Sequence, residues 1–339
     1  MPGRTGIRNY TGRRGKGWGM WVMSPGVDVK AARLIADHYR SLGIDMLIPV
    51  DTAGIRVARL AQSFLPGMST FPMPHDSELS LLDNKWTFYQ HFRHEGIPFP
   101  ATVLLERSNR LSQLELRFPL MIKPPDLEDG KGVKKLASLD ELRRYLSGGT
   151  LYSKPPLLLQ EYVPGTELGL SMLAHDGEVL AWTLQEHTKT GGLLFTSNHR
   201  ILELGKSIMS ATGFTGLAHF DLMRDSRNGE VKMLECNPRL WGTVRDSMLY
   251  GVNFLQLGMD LAMGREVRCS SDHPDLLCSG SYDLLKRILA GRRGWREINH
   301  PSLQGFVQVL KDPLPYLCFE LQDATKKRAK VRAGGCRYQ

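Results

Sequence analysis

The sequence predicts an α/β protein in which a small N-terminal parallel-sheet domain is followed by further α+β segments. Segments with helical and strand periodicity alternate between residues 19 and 64, and 34 glycines can supply many tight turns. The 339 residues are 42% hydrophobic and 23% charged, which is typical of a globular protein with a substantial core.

The N-terminal elements are short and closely spaced. Residues 1–20 are basic and glycine-rich, and we expect them to be loosely ordered around a short strand at 19–23. A helix is predicted over 27–42, a buried strand over 44–50 and a second helix over 55–64. These elements define an N-terminal domain at residues 1–78 that is either truncated or completed by a partner subunit.

The middle of the chain predicts more helices and strands separated by proline and glycine. Helical spacing of Leu82, Trp86, Tyr89 and Phe92 predicts one helix over 79–95. Strands are predicted at 101–105, 120–123, 157–162, 168–174 and 179–184. Helices are predicted at 139–146, 201–212 and 282–289, and another at 244–263 is interrupted near residue 251. Basic residues at 291–296 predict a loop.

A glycine-bearing segment at residues 125–133 predicts a mobile loop. Gly130 and Gly132 would let backbone N–H groups approach a phosphate, with Lys131 between them. The loop also carries three acids, Asp126, Glu128 and Asp129. Acids at these positions would repel a phosphate group unless their side chains face solvent.

The segment Gly216–Thr243 predicts a hairpin whose second strand carries a candidate site. Glu235, Asn237 and Arg239 should point to one side until Pro238 ends the ladder. A carboxylate, an amide oxygen and a guanidinium on one face suit Mg²⁺ beside a phosphate. Strict alternation puts four side chains on this face, namely Val231, Met233, Glu235 and Asn237.

The length of the turn decides whether Asp221 joins this face. If Asp225 pairs with Val231, Asp221 lies directly opposite Glu235 and shares its face. A strict two-residue Asn-Gly turn instead puts Asp221 opposite Cys236. A surface hairpin with scattered charges is the alternative interpretation of the same pattern.

Charge and cysteine content narrow the function classes. The net charge is +9, but residues 1–16 and 323–339 each carry +5 and the remainder is near neutral. This distribution argues against a specific nucleic-acid platform. Five scattered cysteines form no CxxC motif and indicate reduced thiols, and no apolar run could span a bilayer. We therefore expect a cytoplasmic protein with no membrane partner.

Taken in order, six motifs resemble the ATP-grasp superfamily over roughly residues 45–265. They are Asp83-Asn84-Lys85-Trp86, Gly96-Ile97-Pro98-Phe99-Pro100, Lys123-Pro124, the stretch from Gln160 to Glu167, Phe220-Asp221 and Glu235-Cys236-Asn237-Pro238-Arg239. The final motif looks like the branch containing carbamoyl-phosphate synthase and carboxylate–amine ligases. The resemblance implies an ATP-grasp domain at 79–265, in which a lid of about 100–163 and a larger subdomain of about 164–265 clasp ATP. Residues 266–339 would form a C-terminal extension with a basic tail.

The resemblance also implies a role for individual residues. Asp221, Glu235 and Asn237 would hold Mg²⁺, with Mn²⁺ as an alternative ion. Arg239 and Lys123 would be the catalytic cations. ATP would be bound by Lys85, Lys123, Gly130, Lys131, Gly132, Glu161, Tyr162, Val163, Glu167 and Leu234. In this set the lysines contact phosphates, Glu161 and the Val163 backbone meet the adenine, and Glu167 holds the ribose.

The implied activity is ligation of a carboxylate to an amine through an acyl-phosphate, with release of ADP and phosphate. A kinase-like or carboxylating enzyme of the same fold is one alternative, and a non-catalytic nucleotide-binding protein is another. The expected partners are a small carboxylate and a small amine, and a homodimer is left open. Neither substrate can be named from the sequence.

Overall fold

Two antiparallel sheets, of four and six strands, form the frame of the protein, which confirms the α/β class. The computed structural model describes residues 6–11, 17–22, 29–107, 117–128, 130–188, 192–267, 275–278 and Val307. The strands are β1 Gly6–Thr11, β2 Gly17–Val22, β3 Thr102–Leu105, β4 Leu120–Lys123, β5 Lys134–Leu136, β6 Leu157–Glu161, β7 Gly165–His175, β8 Glu178–His187, β9 Leu193–Thr196, β10 Gly216–Asp225, β11 Val231–Asn237 and β12 Leu276–Cys278. The helices are α1 Val29–Ser41, α2 Thr52–Phe64, α3 Asp76–Asp83, α4 Lys85–Phe92, α5 Leu139–Ser147, α6 His199–Thr212, α7 Val244–Tyr250 and α8 Phe254–Ala262.

The N-terminal segments do not form the expected parallel sheet. β1 pairs antiparallel with β2, in a region predicted to be loosely ordered. The predicted strand at 44–50 contributes only an isolated parallel bridge between Leu47 and Thr70. Leu47 is buried against α1 and α2, which form as predicted, so the apolar run marks burial and not a strand. A short apolar run cannot by periodicity alone distinguish these two outcomes.

The predicted helix at 79–95 is divided into α3 and α4. Asn84 takes an extended conformation between them, and its side-chain oxygen accepts hydrogen bonds from the N–H groups of Trp86 and Thr87. This N-cap starts a new helix at Lys85, because Asn satisfies the free N–H groups of a first turn. The division therefore fixes the position of Lys85 at a helix start.

The smaller sheet has the strand order β3-β6-β4-β5 and packs against α5. The larger sheet has the order β11-β10-β7-β8-β9-β12. Helix α6 lies against one face of the larger sheet so closely that a Cβ atom at Gly205 would be 2.4 Å from Met172 Cε. Strand β9 was not predicted, and β7 begins at Gly165, three residues before the predicted strand at 168–174.

The opposite face of the larger sheet has an apolar end and a polar end. Leu173, Ala181 and Leu217 lie at the apolar end, within the core that includes residues of α7 and α8. Residues directly opposite each other on β7, β8, β10 and β11 lie on this same face of the sheet. We call the polar end the polar platform, defined as Gly169, Ser171, Thr183, Gln185, His219, Asp221, Glu235 and Asn237.

A β-bulge in β11 sets the register of the predicted hairpin. Near the turn Arg224, and not Asp225, pairs with Val231, so that detail of the prediction is wrong. The register then shifts between Asp221 and Leu222, and this shift brings Asp221 opposite Glu235, the first of the two alternatives. The extra residue also breaks the strict alternation, because Met233 turns into the core while Glu235 stays on the platform.

The C-terminal part of the described chain completes the larger sheet. The predicted interruption near residue 251 is confirmed: α7 ends at Gly251 with a φ of 109°, and α8 follows. β12 pairs antiparallel with β9 at the far edge of the sheet. Cys236 and Cys278 are buried free thiols, whereas the other three cysteines and the predictions at 282–289 and 291–296 lie outside the described residues. None of the helices described is long and apolar enough to cross a bilayer.

Close packing of α8 gives a test of this arrangement. A Cβ atom at Gly258 would lie 2.0 Å from Cζ of the buried Phe71. We expect Gly258→Val to lower the free energy of unfolding by about 1–3 kcal/mol, measured by urea denaturation, because overpacking forces the ring or helix to move. Gly242→Val is the control, since its Cβ meets nothing within 4 Å. Equal stability of the two variants would contradict the packing described.

Candidate active site

The polar platform brings the two predicted carboxylate ligands together. Asp221 on β10 and Glu235 on β11 are directly paired, and the Asn237 side chain donates from Nδ2 to Asp221 Oδ2 at 2.9 Å. Within the described residues no cluster of three or more His, Cys, Asp or Glu side chains is suited to a metal ion. Two carboxylates and one amide nevertheless fit Mg²⁺, which is usually held by one or two carboxylates together with substrate phosphates.

Two lysines from other elements approach Glu235. Lys85, the first residue of α4, has its Nζ 3.3 Å from Glu235 Oε2 and donates to the Leu127 carbonyl oxygen at 2.8 Å. Lys123, the last residue of β4, lies 4.0 Å from the same carboxylate oxygen. Its Nζ also donates to the carbonyl oxygen of Leu234, the residue next to Glu235 at the bulge, at 3.4 Å. The smaller sheet, the larger sheet and the helix start therefore meet at one carboxylate.

Burial and close charges shift the acidity of these groups. Burial lowers the pKa of Lys123, and the Glu235 carboxylate acts against that shift. Burial raises the pKa of Glu235, with Lys123 and Lys85 acting in the opposite direction. For Asp221 burial also acts to raise the pKa, but hydrogen bonds from His219 and other neighbours lower it overall. An added divalent cation would stabilise both carboxylates in their charged form, which supports the fit to Mg²⁺.

Arg239 follows β11 and extends the same cluster. Its Nη2 donates to Asn237 Oδ1 at 3.1 Å and its Nη1 to the Leu240 carbonyl oxygen at 3.1 Å. The Nε atom is buried without a hydrogen-bond partner, although it lies 3.2 Å from Glu128 Oε1. A buried guanidinium N–H with no hydrogen bond is costly, so this donor suits an anion supplied from outside the chain.

The predicted phosphate loop lies beside this cluster. Gly130 and Gly132 have φ values of 64° and 75°, and the Tyr145 hydroxyl donates to the Gly132 carbonyl oxygen at 3.1 Å. Lys131 is exposed. Of the loop acids, Asp126 is exposed, whereas the Glu128 carboxylate lies 3.2 Å from Arg239 Nε. Asp129 lies outside the described residues.

The residues assigned to adenine and ribose lie near the connection between the two sheets. Glu161 ends β6 and accepts from Arg227 Nη2 at 2.7 Å and from Lys232 Nζ at 3.1 Å. Burial acts to raise the pKa of Glu161, but these hydrogen bonds lower it overall. Three more residues assigned to ATP follow in sequence. The centroid of the Tyr162 ring lies 3.5 Å from Lys135 Nζ. Val163 is buried, and Glu167 is exposed on β7.

Sequence analysis missed the polar side chains that adjoin Asp221. His219 lies two residues before Asp221 on β10, stacks on Trp241 with ring centroids 5.4 Å apart, and contacts Ser171 on β7. Thr52 on α2 was also missed, and its hydroxyl contacts Asp83 at 3.0 Å. The period of two that connects His219 with Asp221 was a usable signal, whereas the partners on other elements were not visible in the sequence.

Comparison with known proteins agrees with this geometry. Residues 153–277 match the family described as "ATP-grasp in the biosynthetic pathway with Ter operon". The carbamoyl phosphate synthase large chain of Thermoanaerobacter pseudethanolicus is 28% identical over 172 residues, which cover 46% of this chain and 16% of that protein. The D-aspartate ligase of Enterococcus faecium is 25% identical over 186 residues, covering 47% of this chain and 44% of the ligase. The chain thus spans less than half the length of these two relatives.

Solved structures show the same architecture. The biotin carboxylase domain of the Hydrogenobacter thermophilus 2-oxoglutarate carboxylase superposes with a TM-score of 0.59 and 18% identity, covering 70% of this chain and 58% of that one. At this level of identity the similarity concerns the fold alone. Residues 153–277 therefore carry a match to an ATP-grasp family model, and the solved structure shows that the similarity of fold extends beyond this region.

Proposed function

We propose that this protein is an ATP-dependent carboxylate–amine ligase. The observation that carries the proposal is the convergence of Asp221, Glu235 and Asn237 with three cationic side chains on one end of the larger sheet. Phosphoryl transfer depends mainly on positioning and charge neutralisation, and this cluster offers both. The D-aspartate ligase and carbamoyl phosphate synthase relatives support a ligase within the superfamily.

In this proposal the chain holds ATP between its two sheets. Lys85 and Lys123 bind phosphate oxygens, with Gly130, Lys131 and Gly132 approaching from the loop. Glu161, Tyr162, Val163, Glu167 and Leu234 form the adenine and ribose side. Asp221, Glu235 and Asn237 hold Mg²⁺ or Mn²⁺, which when bound supplies charge neutralisation to the phosphates.

The reaction proceeds in two balanced steps. A carboxylate oxygen of the first substrate attacks the γ-phosphorus, the bond between that phosphorus and ADP breaks, and an acyl-phosphate forms. An amine then attacks the acyl carbon, phosphate leaves, the nitrogen loses a proton, and an amide remains. Arg239 stabilises the transferred phosphoryl group through two parallel N–H donors, while Lys123 stabilises charge on the phosphates.

The expected setting of the reaction is part of the same proposal. The substrates are a small carboxylate and a small amine, the location is the cytoplasm, and the assembly is a homodimer. A screen of amino acids and small carboxylates for stimulated ADP formation identifies the substrates. ADP release that requires an added amine supports the ligase, whereas release stimulated by bicarbonate alone supports a carboxylating enzyme.

Replacement of Glu235 tests the metal site. Glu235→Gln keeps the size of the side chain but removes a charge that faces Asp221, Lys85 and Lys123. Substrate-stimulated ADP release at saturating Mg²⁺ should fall at least about a hundredfold, or about 3 kcal/mol, because the site that would hold the ion loses one of its two carboxylates. Glu203→Gln on α6 is the control and should keep full activity. Wild-type turnover by Glu235→Gln would reject the assignment.

Replacement of Arg239 separates transition-state stabilisation from ATP binding. Arg239→Ala should leave ATP affinity, measured by calorimetry, nearly unchanged, because the contact that Arg239 gains with ATP is offset by the ion pair with Glu128 that binding breaks. Turnover should fall roughly a hundredfold, equivalent to about 3 kcal/mol. Arg239→Lys keeps the charge but lacks the two parallel N–H donors of the guanidinium, and it should recover only a small part of the rate. Equal losses of affinity and turnover would instead make Arg239 a ground-state binding residue.

The contact between Glu128 and Arg239 predicts competition between the loop and the nucleotide. The carboxylate of Glu128 lies where the proposal puts an anion of the substrate, so binding must break a 3.2 Å ion pair. Because a partly exposed pair contributes up to about 1 kcal/mol, Glu128→Gln should tighten ATP binding by no more than about fivefold. Asp126→Asn removes a loop charge that is exposed and should have no such effect. In the wild type, ATP should also slow hydrogen exchange at residues 126–128 and 130–133, as lids commonly do. Unchanged affinity and exchange would reject this competition.

A further inference from the structure

The polar platform contains an ordered chain of polar contacts that ends on Asp221. Ser171 Oγ lies 2.8 Å from His219 Nδ1, and His219 Nε2 lies 3.3 Å from Asp221 Oδ1. These three residues come from two neighbouring strands, because His219 is directly paired with Ser171 across β7 and β10. Asn237 donates to the other oxygen of Asp221 at 2.9 Å. Both oxygens of this carboxylate are thus held by side chains.

The surroundings of His219 restrict the ring to one orientation. The ring stacks on Trp241 at an interplanar angle of 15°, and only 7% of the His219 residue surface is exposed. Below the ring, a Cβ atom at Gly169 would lie 2.6 Å from His219 Cε1, so the ring occupies space that only glycine leaves open. Two close surfaces therefore hold the imidazole plane while its two nitrogens point to Ser171 and Asp221.

The contacts also fix which nitrogen faces the carboxylate. Nδ1 meets the Ser171 hydroxyl, so an N–H on Nε2 is directed at the Asp221 carboxylate. A carboxylate ligand held by a second group keeps a fixed direction for its remaining lone pairs. Such outer partners commonly change metal affinity or activity by 10–100-fold when they are removed.

We propose that His219, oriented by Ser171, Trp241 and Gly169, is a positioning residue that fixes the Asp221 carboxylate for the divalent cation. This inference rests on the proposed function only in taking Asp221 as a metal ligand. His219 touches no reacting atom in this role. Ser171 acts one step further away, through the direction of the imidazole.

The chain offers a matched pair of serines to test this role. Ser171 and Ser247 are both fully buried, but Ser247 contacts the Thr183 hydroxyl at 3.5 Å and not His219. We would measure binding of Mn²⁺ by electron paramagnetic resonance to the full-length protein, with a non-hydrolysable ATP analogue present. Affinity for the analogue without metal and the midpoint of thermal unfolding are measured on every variant.

Each variant has a defined expected result. His219→Asn keeps the reach of Nδ1 to Ser171 but not the reach to Asp221, and should weaken Mn²⁺ binding by about 10–100-fold. His219→Gln carries an amide that reaches the position of Nε2 and should restore most of the affinity. Ser171→Ala should weaken binding less than His219→Asn, and Ser247→Ala should leave it unchanged. Metal-free affinity for the analogue should stay constant throughout.

Other results overturn the inference. Wild-type Mn²⁺ affinity in both His219→Asn and Ser171→Ala rejects the positioning role. Equal losses in Ser171→Ala and Ser247→Ala, or losses in His219→Gln as large as in His219→Asn, show a general packing defect instead. If the wild-type protein binds no Mn²⁺, this inference and the metal site fall together. If Mn²⁺ binding follows the expected pattern but no amine stimulates ADP release, the ligase proposal fails while the positioning role stands.

Discussion

Two like charges that face each other across neighbouring strands dominate the architecture of the candidate site. Asp221 and Glu235 are directly paired, and burial of two carboxylates at this distance is unfavourable unless cations or donors compensate it. Two compensating cations come from segments far away in sequence, since Lys85 starts a helix and Lys123 ends a strand of the other sheet. His219, which lies on the same strand as Asp221, adds a local contact. The two sheets must therefore meet at this point for the two carboxylates to be compensated by nearby cations.

The bulge in β11 explains why one strand can serve both the core and the site. A regular strand would send Met233 and Glu235 to the same face, which would bury a carboxylate or expose a core residue. With one extra residue, Met233 and Cys236 pack below the sheet while Glu235 and Asn237 stay above it. The same irregularity turns the Leu234 carbonyl oxygen towards Lys123. A local defect in the ladder thus provides a backbone acceptor at the site.

Local pattern predicted the elements better than it predicted their partners. The strand at 120–123 and the hairpin follow from periodicity and turn residues, whereas the pairing of Asp221 with Glu235 also requires the bulge in β11. The parallel N-terminal sheet was wrong because an apolar run such as that around Leu47 can be buried by helices without pairing. The contacts of Glu128 and Ser171 were out of reach, since they depend on which strands become neighbours. The division into domains remains a prediction.

The edge strand β12 has a consequence for the boundaries of the folding unit. It comes from a segment assigned in sequence to a C-terminal extension, yet it covers β9, and Cys278 is buried in the core that includes residues of α7 and α8. An uncovered β9 would present a row of free N–H and C=O groups, and such edges recruit strands from other molecules. Residues 276–278 therefore cover this edge of β9, and a fragment ending at Ala262 would leave the edge open while keeping every residue of the polar platform.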